Sequence, residues 1–282
     1  MAINEITLGL CDEWHAFLER HPRFAEKLQF LCKTLHIAFI REVEIFEPAD
    51  QVVFFLGRLC VEDFMEILLL CGNGYGIGGM KLLRGLFERA VTLGYVARKP
   101  DKAEQFLEYH YVHQGKQFNH ANEVFPMNEH LSPEQIEQIQ SAYKRTKEKY
   151  QEVLCRKCGT TRTRFSWSEL DLRSMAREAG LSKLYPQCYY DPTLQAHATV
   201  SSLTARMKLR GNGQVTFDEG AQREKADLAL IGAHNIVLYV LDVVNRYFKM
   251  RLEDEVQERF ADFIYIWDRE TNLQHSNPIH ST

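Results

Sequence analysis

Apolar residues recur at three- and four-residue intervals through most of this chain, the spacing of helices that bury one face. Residues 10–46 read as one or two amphipathic helices broken at His21-Pro22, since a proline pushes its predecessor out of the helical region. Asp50 is placed to cap a helix over 51–71, and Gly72 offers a left-handed stop. A glycine-rich turn over 72–79 then runs into a helix ending at Arg98, and Pro100-Asp101 starts another that reaches about Asn122. Ser132-Pro133-Glu134-Gln135 combines a cap, a first-position proline and a reciprocal glutamine, so a helix is expected from there to about Leu154. Ser166 or Ser168 can cap a short helix over 169–179 that Gly180 ends, and Asp191-Pro192 opens one through His197 to about Met207. Residues 209–220 form a loop or small hairpin, with 215–217 the single strand candidate, and two long helices close the chain over about 221–249 and 252–269. The expected fold is all-α, a single multi-helix bundle of about eight helices with strands essentially absent. One helical domain is expected over 1–270, with 1–47 a candidate N-terminal extension and 271–282 a flexible tail.

Composition fits this picture. With 282 residues, 45% of them hydrophobic, the chain can fill a sizeable core. A net charge of −4 gives no global pull toward nucleic acid or an anionic membrane, so either would need a local patch. The most apolar long segment, 226–244, carries Asp227, His234, Asn235 and Asp242, which suits a buried helix better than a membrane span. No basic region followed by an apolar run marks a secretory signal near the start. The 7 cysteines are odd in number and irregular in spacing, so the expected compartment is the reducing cytoplasm.

The helix after the glycine turn carries the first candidate chemistry. Lys81, Arg84, Glu88, Thr92 and Tyr95 fall in one narrow arc, and Arg84 and Glu88 are placed to pair one turn apart. On the surface this is a weak ion pair; in a pocket wall the arginine fork suits a carboxylate or phosphate. The glycine run lacks the Gly-Lys-Ser/Thr ending of a phosphate loop, so it reads as a flexible helix connection.

His110, His113, Gln117 and His120 share a helix, but no Glu-x-x-His repeat accompanies them, and no metal is assigned there. Cys155-Arg-Lys-Cys158 is half of a zinc knuckle or a redox pair; zinc would need two further ligands, for which Cys188 and His197 are the candidates. Around that pair, Lys144, Arg145, Lys147, Lys149, Arg156, Lys157, Arg162 and Arg164 make a locally basic stretch. It could contact nucleic acid, sit as a solvated helix end, or be neutralised by the acidic last helix.

Arg269 and His275, with five residues between them, resemble the paired Arg and His of helical ribonucleases of the HEPN superfamily, though here they lie at a helix end and Glu270 follows the arginine. A wider resemblance rests on three elements in order: Arg84-Gly-Leu-Phe-Glu88 after the glycine turn; Pro100 and the helix through Tyr109; and Trp167-Ser-Glu-Leu-Asp-Leu-Arg-Ser-Met-Ala followed by Tyr185, Tyr190 and His197-Ala-Thr. Together they are similar to an uncharacterised bacterial family, the domain-of-unknown-function 5677 family, over roughly residues 50–245. The resemblance implies an all-helical cytoplasmic fold whose marked positions are Arg84, Glu88, Trp167, Tyr190 and His197, and no established activity or cofactor.

These residues support a soluble binding or regulatory protein with a polar pocket around the Arg/Glu pair, lined by Arg84, Glu88, Tyr109, His113, Trp167, Tyr190 and His197, with a small molecule, a protein or a second copy as partner. One alternative is a hydrolase or nuclease using His197 with Glu88 and Arg84; another is the HEPN-like ribonuclease using Arg269 and His275. A buried polar network that only fixes helix packing would use the same residues.

Overall fold

Three of the apolar runs become the long helices around which the rest is built. The computed structural model describes residues 9–10, 12–40, 44–155 and 157–268. In chain order its helices are α1 (Glu13–Arg20), α2 (Pro22–Ile40), α3 (Pro48–Gly72), α4 (Gly76–Arg98), α5 (Ala103–Glu108), α6 (His110–Val124), α7 (Pro133–Lys147), α8 (Leu172–Ala179), α9 (Asp191–Ala196), α10 (Val200–Thr204), α11 (Arg223–Phe248) and α12 (Glu253–Trp267). Helix accounts for 74% of the structure, so the all-α class holds. The helices outnumber the eight expected because several of the longer periodic runs are interrupted. Arg269 and His275, and the tail they lead into, lie outside the described residues.

Helices α3, α4 and α11 pack mutually, with α8 and α9 laid on α4 and with α2 and α12 packed together beside α11. Their buried side chains, from Phe17 to Ile266, form one continuous cluster. α11 is long and apolar enough to cross a membrane, but 61% of its apolar stretch is buried inside the fold, the position of a core helix. At the other end of the chain, Glu13 takes Nε and Nη2 of Arg223 at 3.0 Å each and Nη1 of Arg20 at 3.1 Å, tying α1 to the start of α11.

Several starts and stops differ from the sequence reading. α3 begins at Pro48: Asp50 is its third residue and reaches back to the Glu47 amide at 3.0 Å in a reciprocal box. α8 is capped by Asp171, whose carboxylate accepts from the Ser174 amide at 2.7 Å, while Ser166 and Ser168 order the loop before it. α7 keeps the expected Ser132/Gln135 box but ends at Lys147. Beyond it, Gln151–Val153 (β1) pairs antiparallel with Thr161–Thr163 (β2), where β-branched residues favour a pleated strand over a helix. Val215–Phe217 (β4) finds its partner in Met207–Leu209 (β3).

The glycine turn is not a flexible connection. Gly74 adopts φ +84°, which closes the turn, and Gly76 sits where a Cβ would lie 2.3 Å from Ala226 N and Gln222 O. The run lets the start of α4 touch the backbone of α11, a contact no side chain would permit.

Candidate functional site

The Arg84/Glu88 stripe of α4 divides along its length. Thr92 and Tyr95 are buried, whereas the side chains of Arg84 and Glu88 are 28% and 43% exposed. Arg84 Nε donates to Glu88 Oε1 at 3.0 Å, and Arg84 Nη1 lies 2.8 Å from His197 Nε2. Its guanidinium also stands 5.3 Å from the centre of the Tyr189 ring. Partial burial opposes the arginine's charge, but hydrogen bonds and charge from Glu88 and Tyr189 outweigh it and raise its pKa. Arginine has no acceptor, so Nε2 of His197 accepts and the ring proton resides on Nδ1.

Local backbone chemistry places the two partners from the later segment. Residues Pro186–Tyr190 form a π-helical turn that leads directly into α9. The wide turn carries Tyr189 against Arg84 and leaves Tyr190 exposed. His197 follows the last residue of α9, and Thr199 then caps α10 and holds Leu194 O through its hydroxyl at 2.6 Å. The expected single helix over 192–207 is therefore two short ones with His197 on the corner between them.

His197 lines a cleft of about 580 Å³ between the start of α4 and the segment from α9 to the β3–β4 hairpin. Lys81 and Arg206 contribute charge to its lining, and no carboxylate does. Arg206 is braced by Asp218 O at 2.6 Å and Gly220 O at 2.9 Å and stacks near Phe217. The first turn of α4 also borders the cleft through Ile77 and Gly78, adding the positive end of a helix dipole. Gln195 is 8% exposed, lines the same cleft, and its Oε1 is buried with no hydrogen-bond partner. Neither Gln195, Arg206 nor Tyr189 stands out in the sequence; the π-helical turn sets Tyr189 against Arg84, and the path of the chain from α9 onward brings Gln195 and Arg206 to the cleft.

The other candidates lie elsewhere. Trp167 is buried edge-to-face against Tyr95 at 5.9 Å and Phe106 at 5.3 Å, and its carbonyl accepts from Gln105. Tyr109 is buried, donates to Arg164 O at 2.6 Å, and packs against Tyr150 at 4.9 Å and His113 at 4.7 Å. These three residues join α5 and α6 to the loop before α8, and none of their contacts involves Arg84. Tyr190 borders a second cleft, of about 680 Å³, with Arg173, Arg177 and Tyr185. Seven residues expected around one pocket thus occupy three places.

Three of the eight residues of the basic stretch are met by carboxylates, Lys149 by Glu108, Arg162 by Glu152 and Arg164 by Glu169, while Asp262 of α12 pairs with Lys27 and Arg259. Among the described residues no three His, Cys, Asp or Glu side chains gather as a metal set; Cys188 is buried in the core and His197 is held by Arg84.

Residues 50–215 match a protein family described as being of unknown function, DUF5677. The match stops before α11, short of the likeness to residue 245 read from the sequence motifs. No curated protein and no solved structure matches the chain.

Proposed function

The chain belongs to the DUF5677 family, whose function is unknown, and we propose that it is a binding protein for a small anion bearing a hydrogen-bond donor, held in the cleft beside Arg84 and His197. The observation that carries this reading is a cleft whose charged lining is wholly cationic, with Gln195 in its wall and the buried Gln195 Oε1 left without a hydrogen-bond partner. Leaving such a group unpaired costs about 1–3 kcal/mol, which a ligand N–H or O–H would recover once the Gln195 amide turns into the cleft. Lys81, Arg206 and the start of α4 supply the attraction for a phosphate or carboxylate. Arg84 fixes the tautomer of His197, so the ring bordering the cleft has an N–H to give. Glu88 restrains Arg84 from the other side.

The same geometry favours binding over acid–base catalysis. A general base needs a lone pair, and the basic nitrogen of His197 is already engaged by Arg84.

Calorimetric titration with matched anions tests the reading. Glycerol 3-phosphate should bind more tightly than propyl phosphate, and lactate more tightly than propionate, because only the first of each pair has a hydroxyl for Gln195. Gln195→Met, similar in shape but without the acceptor, should erase that preference, a change of about tenfold for one hydrogen bond. Lys81→Ala should weaken all four probes. Equal affinity within both pairs, or a preference untouched by Gln195→Met, would overturn the proposal.

A further inference from the structure

The Cys155/Cys158 pair lies at the tip of the β1–β2 hairpin, away from the cleft, and the proposed binding function makes no use of it. The tip is closed by Leu154 N donating to Thr160 O at 2.8 Å and by Gly159 N donating to Cys155 O at 2.9 Å, with Gly159 at φ +70°. This tight turn holds the two cysteines together on one hairpin tip. Cys158 Sγ also lies 2.9 Å from Thr160 Oγ1. Cys158 is exposed and Cys155 half-buried, so solvent reaches the pair.

We propose that Cys155 and Cys158 form a reactive dithiol that hydrogen peroxide converts into an intramolecular disulfide. The Cys158 sulfur attacks one peroxide oxygen, the O–O bond breaks, and the departing hydroxide takes up a proton as water. The Cys155 sulfur then attacks the resulting sulfenic sulfur, its S–H proton leaves with the S–OH oxygen as a second water, and the S–S bond forms. Two thiols are oxidised and one peroxide is reduced to two waters.

The surroundings single out this pair. The thiolate is the attacking species, and a sulfur that accepts hydrogen bonds holds its negative charge more readily. The Thr160 hydroxyl, then its backbone N–H, then Cys155 bring the Cys158 thiol down to about 7. Burial does the opposite elsewhere: it pushes Cys71 and Cys188 up to about 12 and raises Cys60 and Cys32. Among the described cysteines, only Cys158 combines exposure, a neighbouring thiol and a stabilised thiolate.

The test is to treat the reduced full-length protein with one equivalent of hydrogen peroxide, block remaining thiols and digest with trypsin. Trypsin cuts after Arg156 and Lys157, between the two cysteines, so the disulfide appears as two cross-linked peptides that dithiothreitol separates. Cys155→Ser should stop the reaction at a Cys158 sulfenic acid that dimedone traps, and Thr160→Val should slow alkylation of Cys158 by iodoacetamide several-fold at neutral pH. Both substituted sites are on a surface hairpin, and circular dichroism checks that the variants stay folded. The proposal is overturned if the cysteines react only between molecules, if Cys158 passes to the sulfinic acid with Cys155 still present, or if the buried cysteines are oxidised first.

Discussion

His234 lies midway along α11 with 2% exposure, walled by Phe24, Phe64 and Phe263, and its Nδ1 accepts from the Trp267 indole at 3.2 Å. Burial pulls its pKa down to about 3. The folded protein therefore refuses a proton that the unfolded chain accepts below its ordinary value near 6.5. Its contribution is complete above that value and declines as pH falls from there toward about 3, at up to ~1.4 kcal/mol per pH unit. Urea denaturation between about pH 7 and 5 should show this slope, and His234→Gln should flatten it. Arg84 behaves differently, because its ion pair is partly exposed. Arg84→Ala should cost no more than ~1 kcal/mol in stability, yet weaken anion binding at least about tenfold by freeing His197 and its tautomer. A thermal melt and a titration on the same sample separate the two effects; a large loss of stability would mark Arg84 as a packing residue. The Arg84/Glu88 pairing could be read from spacing alone. His197 as the third member could be named from its motif, but nothing in the order of residues said which of its nitrogens Arg84 would hold.

Two glycines of α4 make a matched test of how elements meet. Gly76 lies against the backbone of α11, which cannot swing aside, so Gly76→Ala should destabilise by about 2–4 kcal/mol, at or beyond the usual overpacking cost. Gly85 meets only the far end of the Arg89 side chain, at 3.4 Å, so Gly85→Ala should stabilise by up to ~1 kcal/mol through helix propensity. Chemical denaturation of both variants checks the pair, and equal effects would remove the close-packing account of the glycine run. Helix starts were readable where cap chemistry is unambiguous, as at Ser132. They were misread where two caps compete: Asp171 wins over Ser166 and Ser168, since a carboxylate that accepts from the first-turn amides also meets the helix dipole. The short strands were hardest to foresee, because three paired residues carry too little periodicity to outweigh a preceding helical run.

At the scale of the molecule, α1 and α2 share the buried cluster with α11 and α12, and Glu13 locks α1 to Arg223. The N-terminal helices should therefore unfold with the rest. Tryptophan fluorescence, which reports on Trp14 and Trp267 near the two ends and Trp167 between them, should trace the same denaturation curve as far-UV circular dichroism. Separate midpoints would make residues 1–47 an independent extension. The helical character of the chain, the size of its core and the meeting of Arg84 with Glu88 all follow from residue type and spacing over a few turns. The packing of the helices sends Trp167 and Tyr109 away from Arg84 into a second cluster, sets Nε2 of His197 against Arg84, and buries Gln195 in the wall of a cationic cleft. Those outcomes depend on where a π-helical turn and the corner after α9 carry the chain, and long-range packing, not local propensity, sets that path.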